Sequence, residues 1–241
     1  MHLYSGNPLT NLQASRQHER QFVFGNQFWH PTGQAAPLKL VIATRNRKKM
    51  EEIRRILTLP ENDPFSLDDF PGCPEVIEDG MTFTENADKK ALAVARFTGL
   101  PALADDSGLV VDGLDGAPGV YSARYAGDEA TDAQNVAKLL DALAARPQAS
   151  RSARFECVLA LADPNGQTAH FTGTVEGRIA DHPMGHNGFG YDPIFIPVGH
   201  DLTFALMPAA DKDAMSHRGR ALAMLAKDIH NFFGPKNNFA Q

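Results

Sequence analysis

From Leu38 to Thr44 the residues are almost continuously apolar or β-branched (Leu38-Lys39-Leu40-Val41-Ile42-Ala43-Thr44), the pattern of a strand covered on both faces. The period then becomes helical, with Met50, Ile53, Ile56 and Leu57 recurring at three- and four-residue intervals until Pro60. Lys48/Glu52 and Glu51/Arg55 stand one turn apart and are expected to pair on the exposed side. A second helix is expected from Thr84 to Thr98, opened by a capping-box-like Thr82-x-x-Glu85 and stopped by Gly99-Leu100-Pro101. Lys89 is placed to pair with Glu85, which leaves Lys90, one turn beyond Asn86, as a spare cation.

Ala102 to Asp112 reads as a tight strand-turn-strand. A third helix is expected over about Asp132 to Ala145, and residues 153–163 and 167–178 alternate as a hairpin through Asp163-Pro164-Asn165-Gly166. The last helix runs from about His217 to Phe233, with Leu222, Leu225, Ile229 and Phe232/Phe233 on one face. Helices and strands intermix without a repeat, so residues 38–233 read as one α/β body, two lobes sharing a long mixed sheet around a cleft. Residues 1–37 sustain no period and read as an unstructured extension, and 234–241 as a short tail.

Net charge is −6, which argues against a nucleic-acid coat or a basic membrane-binding surface, so a cationic ligand site must be local. Cys73 and Cys157 form no CxxC, and both read as free thiols in a reducing compartment. With no spanning apolar run and no secretory signal pattern, a cytoplasmic protein is expected.

Chemistry concentrates at a few places. Thr44-Arg45-Asn46-Arg47-Lys48-Lys49 crowds four cations where a strand gives way to a helix start, an end that already carries partial positive charge. Such crowding suits a bound polyphosphate held by backbone N–H groups, Asn46 and Lys49. The P-loop and dinucleotide glycine patterns are missing. Asp105-Asp106-Ser107-Gly108 places two carboxylates on opposite faces of a strand, a placement that a hard cation such as Mg²⁺ would compensate, with Glu78 as a further oxygen ligand. Gly185 to Pro193 combines glycines with Phe189, Tyr191 and Asp192, letting backbone and a stacking ring approach a flat ligand. Lys212 and Ser216-His217-Arg218-Gly219 put cations at a second helix start, with Ser216 as its cap.

These segments resemble the inosine triphosphate pyrophosphatase family, the dITP/XTP pyrophosphatases. The resemblance spans about residues 39–231. It rests on T-x-N-x-x-K at Thr44–Lys49, T-F-x-E-N-A-x-x-K-A at Thr82–Ala91, A-D-D-S-G-L-x-V-D at Ala104–Asp112, the run Gly116–Tyr125, G-F-G-Y-D-P-x-F at Gly188–Phe195 and S-H-R-G at Ser216–Gly219. Arg45 stands where the family often has glycine.

The resemblance implies an elongated mixed sheet with flanking helices, two lobes and a nucleotide cleft, in a homodimer. It implies Mg²⁺-dependent hydrolysis of ITP, dITP and XTP to the monophosphate and pyrophosphate. Thr44, Asn46 and Lys49 would hold the triphosphate, Glu78 and Asp106 the metal, and Asp106 would also accept a proton. Lys90 and Asp105 match polar positions of the catalytic cleft and Ser107 a substrate contact. Phe189, Gly190, Tyr191, Asp192, Lys212, His217 and Arg218 match the nucleoside site. Two other readings fit the same residues: a nucleotide-binding regulator without catalysis, and a metal-dependent phosphatase that releases orthophosphate.

Overall fold

The computed structural model describes residues 28–29, 35–36, 39–58 and 65–233. Within the expected extension, β1 (Phe28–Trp29) pairs antiparallel with β2 (Ala35–Ala36). The rest of 1–37, the Pro60 stop and the 234–241 tail lie outside the described residues.

Five strands form one sheet: β3 (Val41–Ile42), β4 (Ala102–Val111), β5 (Ser152–Ala162), β6 (Thr168–Ile179) and β7 (Phe195–Pro197), in that spatial order. β3 runs parallel to β4, and the remaining neighbours are antiparallel. The apolar run around β3 is hydrogen-bonded on both sides, with Val41 N–H donating to Pro101 and Ile42 N–H to Phe65, which is why Leu40 to Ala43 can all be buried.

The expected turn at Asp105–Gly108 is not there. β4 passes straight through it, with Asp105, Asp106, Ser107 and Gly108 opposite Leu159, Val158, Cys157 and Glu156. Gly108 supplies room, not a reversal: a Cβ there would lie 2.5 Å from both the Gly119 carbonyl oxygen and Ser122 Oγ.

Alternation along β4 assigns its two faces. Ala102, Ala104 and Val110 pack with Ala87, Ala91, Val94 and Ala95 of α2 (Phe83–Thr98). Leu103 faces the other way, onto Ile53 and Leu57 of α1 (Arg47–Leu57) and Leu222 and Leu225 of α5 (His217–Phe233). At roughly 3.3 Å per residue the long strands reach well beyond these helices. Their far ends carry a separate core, where Leu109, Val111, Phe155 and Ile179 meet Val136 and Leu139 of α3 (Asp132–Ala144) together with Phe195 and Phe204. Two lobes thus share one sheet.

α4 (Ala209–Met215), absent from the pattern-based reading, abuts α5 at Ser216, whose Oγ accepts from the Gly219 N–H at 3.0 Å and caps α5 as expected. Gly173 lets α5 lie on β6, because a Cβ there would come within 2.0 Å of the His217 carbonyl oxygen.

The expected helix-surface pairs do not form. Lys89 binds Asp79 at 2.5 Å, while Glu85 accepts from the Met81 N–H at 2.6 Å. Lys48 reaches Asp132 and Arg55 reaches Asp213, because the cleft-facing side of α1 looks across to α3 and α4 and offers better partners than its own next turn. Glu52 is buried.

Candidate active site

The β3-to-α1 turn is organised by its own polar side chains. Thr44 Oγ1 accepts from the Asn46 N–H at 3.1 Å, and Asn46 Oδ1 accepts from the Lys49 N–H at 3.1 Å, making Asn46 the cap of α1. The first turn holds no acidic residue, so the helix dipole and its cations face the opening together. Arg45 adopts no left-handed conformation; its guanidinium donates to the Cys73 carbonyl at 2.8 Å.

Beneath this turn an alternating chain of six charges crosses the interior: Lys49, Asp105, Arg218, Glu52, Lys212 and Asp192. Lys49 Nζ lies 2.6 Å from Asp105 Oδ1, and Arg218 Nε 2.8 Å from Asp105 Oδ2. Arg218 Nη1 also binds Glu52, and Lys212 Nζ joins Glu52 at 2.7 Å to Asp192 at 2.5 Å. Cations and carboxylates balance, which is how so much charge is buried without a net penalty too large to bear.

Burial opposes charge on Asp105, but Arg218 and Lys49 hold its carboxyl well below the usual carboxylate range. Burial likewise works against Glu52, and Arg218 and Lys212 bring it below its ordinary value. Asp105 also accepts from Ser107 Oγ at 2.8 Å and Cys157 Sγ at 3.2 Å, so it is a fixed anion that anchors the cations around it. Ser107 Oγ in turn accepts from Arg218 Nη2 at 2.9 Å.

Above the chain opens a cleft of about 110 Å³, lined by Asn46, Lys49, Ser107, Phe189, Gly190, Tyr191, Asp192, Lys212, His217 and Arg218. Phe189 lies 5.1 Å from Lys212 Nζ and 5.7 Å from the Arg218 guanidinium. Asp192 Oδ2 accepts from the Phe189 N–H at 2.8 Å, and Tyr191 OH donates to the Ser122 carbonyl at 2.9 Å, so both pin the loop that carries the ring. His217 stacks on Phe155 with centroids 4.7 Å apart, and its buried Nδ1 has no partner among the described residues. Burial, reinforced by Arg218, holds its pKa well below the usual imidazole range, so the ring is neutral.

On the other face of β4 sits a second cluster. Lys90 Nζ donates to the Asp105 carbonyl at 2.8 Å and Asp106 Oδ1 at 2.9 Å, and lies 3.2 Å from Glu78 Oε1. One ammonium therefore serves two carboxylates. Burial pushes Asp106 up to about 6 against the pull of Lys90 and Lys49. Glu78 moves the other way: burial raises it, but Lys90 brings it below its ordinary value. Asp106 Oδ2 is buried without a hydrogen-bond partner among the described residues.

Among the described residues no group of three metal-binding side chains occurs. A pair of hard carboxylates short of one positive charge, with an orphaned oxygen, fits an ion that keeps waters and substrate phosphates as its other ligands. Glu78, Lys90 and Asp106 do not line the cleft wall; Lys49, whose charge acts on both clusters, stands between them.

Glu52 was not foreseen as part of the site, although it lies one turn beyond Lys49 on the same helix face, a signal the sequence carries. Asp132, Asn135 and Ser122 also line the cleft; Ser122 falls within the Gly116–Tyr125 run, while nothing marks Asp132 and Asn135 beyond the Thr131 cap that precedes α3.

A protein-family model, the Ham1 family, matches residues 40–228, most of the chain. The chain belongs to the Ham1 family. A Geobacter sulfurreducens protein named dITP/XTP pyrophosphatase is 55% identical over 187 residues, covering 78% of this chain and 94% of that protein. A Desulforamulus reducens protein of the same name is 51% identical over 81% of this chain and 98% of its own length. Among solved Ham1 structures, one from Coxiella burnetii superposes with a TM-score of 0.74 at 45% identity, covering 80% of this chain and 99% of that one.

Proposed function

We propose that this Ham1 protein is a Mg²⁺-dependent nucleoside-triphosphate pyrophosphatase that hydrolyses ITP, dITP and XTP to the monophosphate and pyrophosphate, clearing non-standard purines from the nucleotide pool. The observation that carries the reading is the pair of sites on one strand: a cation-lined cleft with an aromatic wall on one face of β4, and a carboxylate pair lacking one positive charge on the other. The names of the curated relatives support it.

Asn46, Lys49 and the free N–H groups of α1 bind the triphosphate. Phe189 stacks on the base, while His217 and Arg218 present it with polar edges and the Lys212–Asp192 pair holds the ring's loop in place. Glu78 and Asp106 would hold the metal, which when bound neutralises phosphate charge and acidifies water. Lys90 keeps both carboxylates in register. Asp106, whose Oδ2 has no partner among the described residues, takes up a proton as water attacks the α-phosphorus and pyrophosphate leaves. Acidic net charge and free cysteines agree with a cytoplasmic enzyme, and among the described residues no helix is long and apolar enough to cross a membrane. The active form in this reading is a homodimer.

The test incubates purified protein and Mg²⁺ with ITP, dITP, XTP, GTP and ATP in parallel, measuring pyrophosphate and orthophosphate separately. Pyrophosphate from ITP, lost in a folded Asp106→Asn variant, is expected. Orthophosphate alone would favour a phosphatase, and binding without turnover a regulator.

A further inference from the structure

Glu78 is carried by an irregular stretch between a short 3-10 turn at Leu67–Asp69 and the start of α2. Ile77 and Met81 are 77% and 76% exposed, so neither pins the stretch to a core. Its ends are held, by Arg45 at the Cys73 carbonyl and by Asn86 Oδ1 at the Gly80 N–H, the latter at 2.8 Å. At Glu78 itself the backbone is held from elsewhere: Arg124 Nη2 donates to its carbonyl oxygen at 2.8 Å.

Arg124 stands on a rigid base. It ends the 3-10 helix Gly119–Arg124, in which Ser122 Oγ accepts from the Leu109 N–H of β4 at 2.9 Å and donates to the Gly119 carbonyl at 2.6 Å. The close approach at Gly108 clamps the same helix to β4, two residues beyond Asp106. The Tyr121 ring lies 5.2 Å from the guanidinium and steadies its plane. Lys90 grips the carboxylate ends of Glu78 and Asp106, but an ammonium on a flexible stem can follow a carboxylate that drifts. The backbone bond cannot, since it ties Glu78 to the strand that carries Asp106.

Resting on the pyrophosphatase reading, we propose that Arg124 is a positioning residue for Glu78 and thereby sets how tightly the carboxylate pair takes a divalent cation. It touches neither nucleotide nor metal. Groups that orient a metal ligand from behind typically change metal affinity about tenfold or more when removed.

The test compares wild type with Arg124→Met, Arg124→Lys and Lys89→Ala. Lys89 serves as the comparison because its exposed pair with Asp79 adjoins Glu78 without holding its backbone. Mn²⁺ binding to nucleotide-free protein is read by electron paramagnetic resonance, ITP binding in EDTA by calorimetry, and the Mg²⁺ concentration for half-maximal turnover at saturating ITP by pyrophosphate release. Arg124→Met should weaken Mn²⁺ binding and raise the Mg²⁺ requirement about tenfold. ITP affinity in EDTA should stay within about twofold, Arg124→Lys should recover part of the loss by supplying a donor, and Lys89→Ala should change neither metal reading. Should Arg124→Met not fold, Arg124→Lys alone decides, with an expected intermediate loss. Unchanged Mn²⁺ affinity in a folded Arg124→Met, or the same loss in Lys89→Ala, overturns the assignment. Wild type that neither binds Mn²⁺ nor needs Mg²⁺ would instead overturn the metal reading of the site, and this inference with it.

Discussion

Replacing Asp105 with asparagine keeps the volume and removes one charge from the centre of the buried ion chain. Its side chain is 1% exposed, with Lys49, Ser107, Cys157 and Arg218 all within 3.3 Å. The variant leaves Lys49 and Arg218 short of compensation and sets an amide N–H₂ against groups that are themselves donors. Removing one partner of a buried pair costs ~3–5 kcal/mol. For a domain of this size each kcal/mol moves Tm by ~2–4 °C, so a fall of ~6–20 °C is expected at pH 7 by calorimetry or circular dichroism. Acid provides a second arm. The folded carboxyl titrates below its unfolded value of about 3.9, so its contribution is complete above about pH 4 to 5 and is lost as pH falls through the folded value. The gap between wild type and variant should therefore narrow below about pH 4. A Tm within ~2 °C of wild type at pH 7 would show that Arg218 and Lys49 do not depend on this carboxylate, and the account of the ion chain would fail.

Lys49→Ala should lower kcat/KM for ITP at least tenfold, roughly 1.4 kcal/mol of transition-state stabilisation, and an unchanged value would make the basic turn a solvated surface. Phe189→Ala should weaken every purine triphosphate alike, by ~1–3 kcal/mol of lost stacking, as read by KM across the nucleotide panel; a loss confined to one base would assign the ring to selection. Deleting residues 1–36, which precede the matched family segment, should leave ITP hydrolysis within about twofold, and a tenfold loss would place part of the site in them.

The helices that follow a strong three-to-four period, α1, α2, α3 and α5, were readable from the chain because amphipathicity is a local property, and the β5–β6 hairpin announces itself by its Pro-Asn-Gly turn. β4 was not readable as one strand. Two carboxylates, a serine and a glycine look like a reversal until Arg218, Lys49 and Lys90 arrive from three different helices to neutralise them, and those contacts are 16 to 113 residues away in sequence. Glu52 misled for the same reason. Lys48 offers a plausible partner one turn away, whereas its burial depends on how α1 meets α4 and α5. The site residues themselves were legible as ordered motifs, but which carboxylate anchors cations and which is left with a free oxygen is decided by packing.

The pleat of β4 separates two charge systems by a single peptide unit. One side is saturated, its anions and cations matched; the other is left one cation short. A change in register by one residue would exchange their surroundings, presenting Asp106 to Arg218 and Asp105 to Glu78, and both would be spoiled together. Neither charge system can therefore be altered by sliding the strand without disturbing the other, and a change confined to one of them has to come from the elements that pack on its own face. The strand between them behaves as a fixed rail.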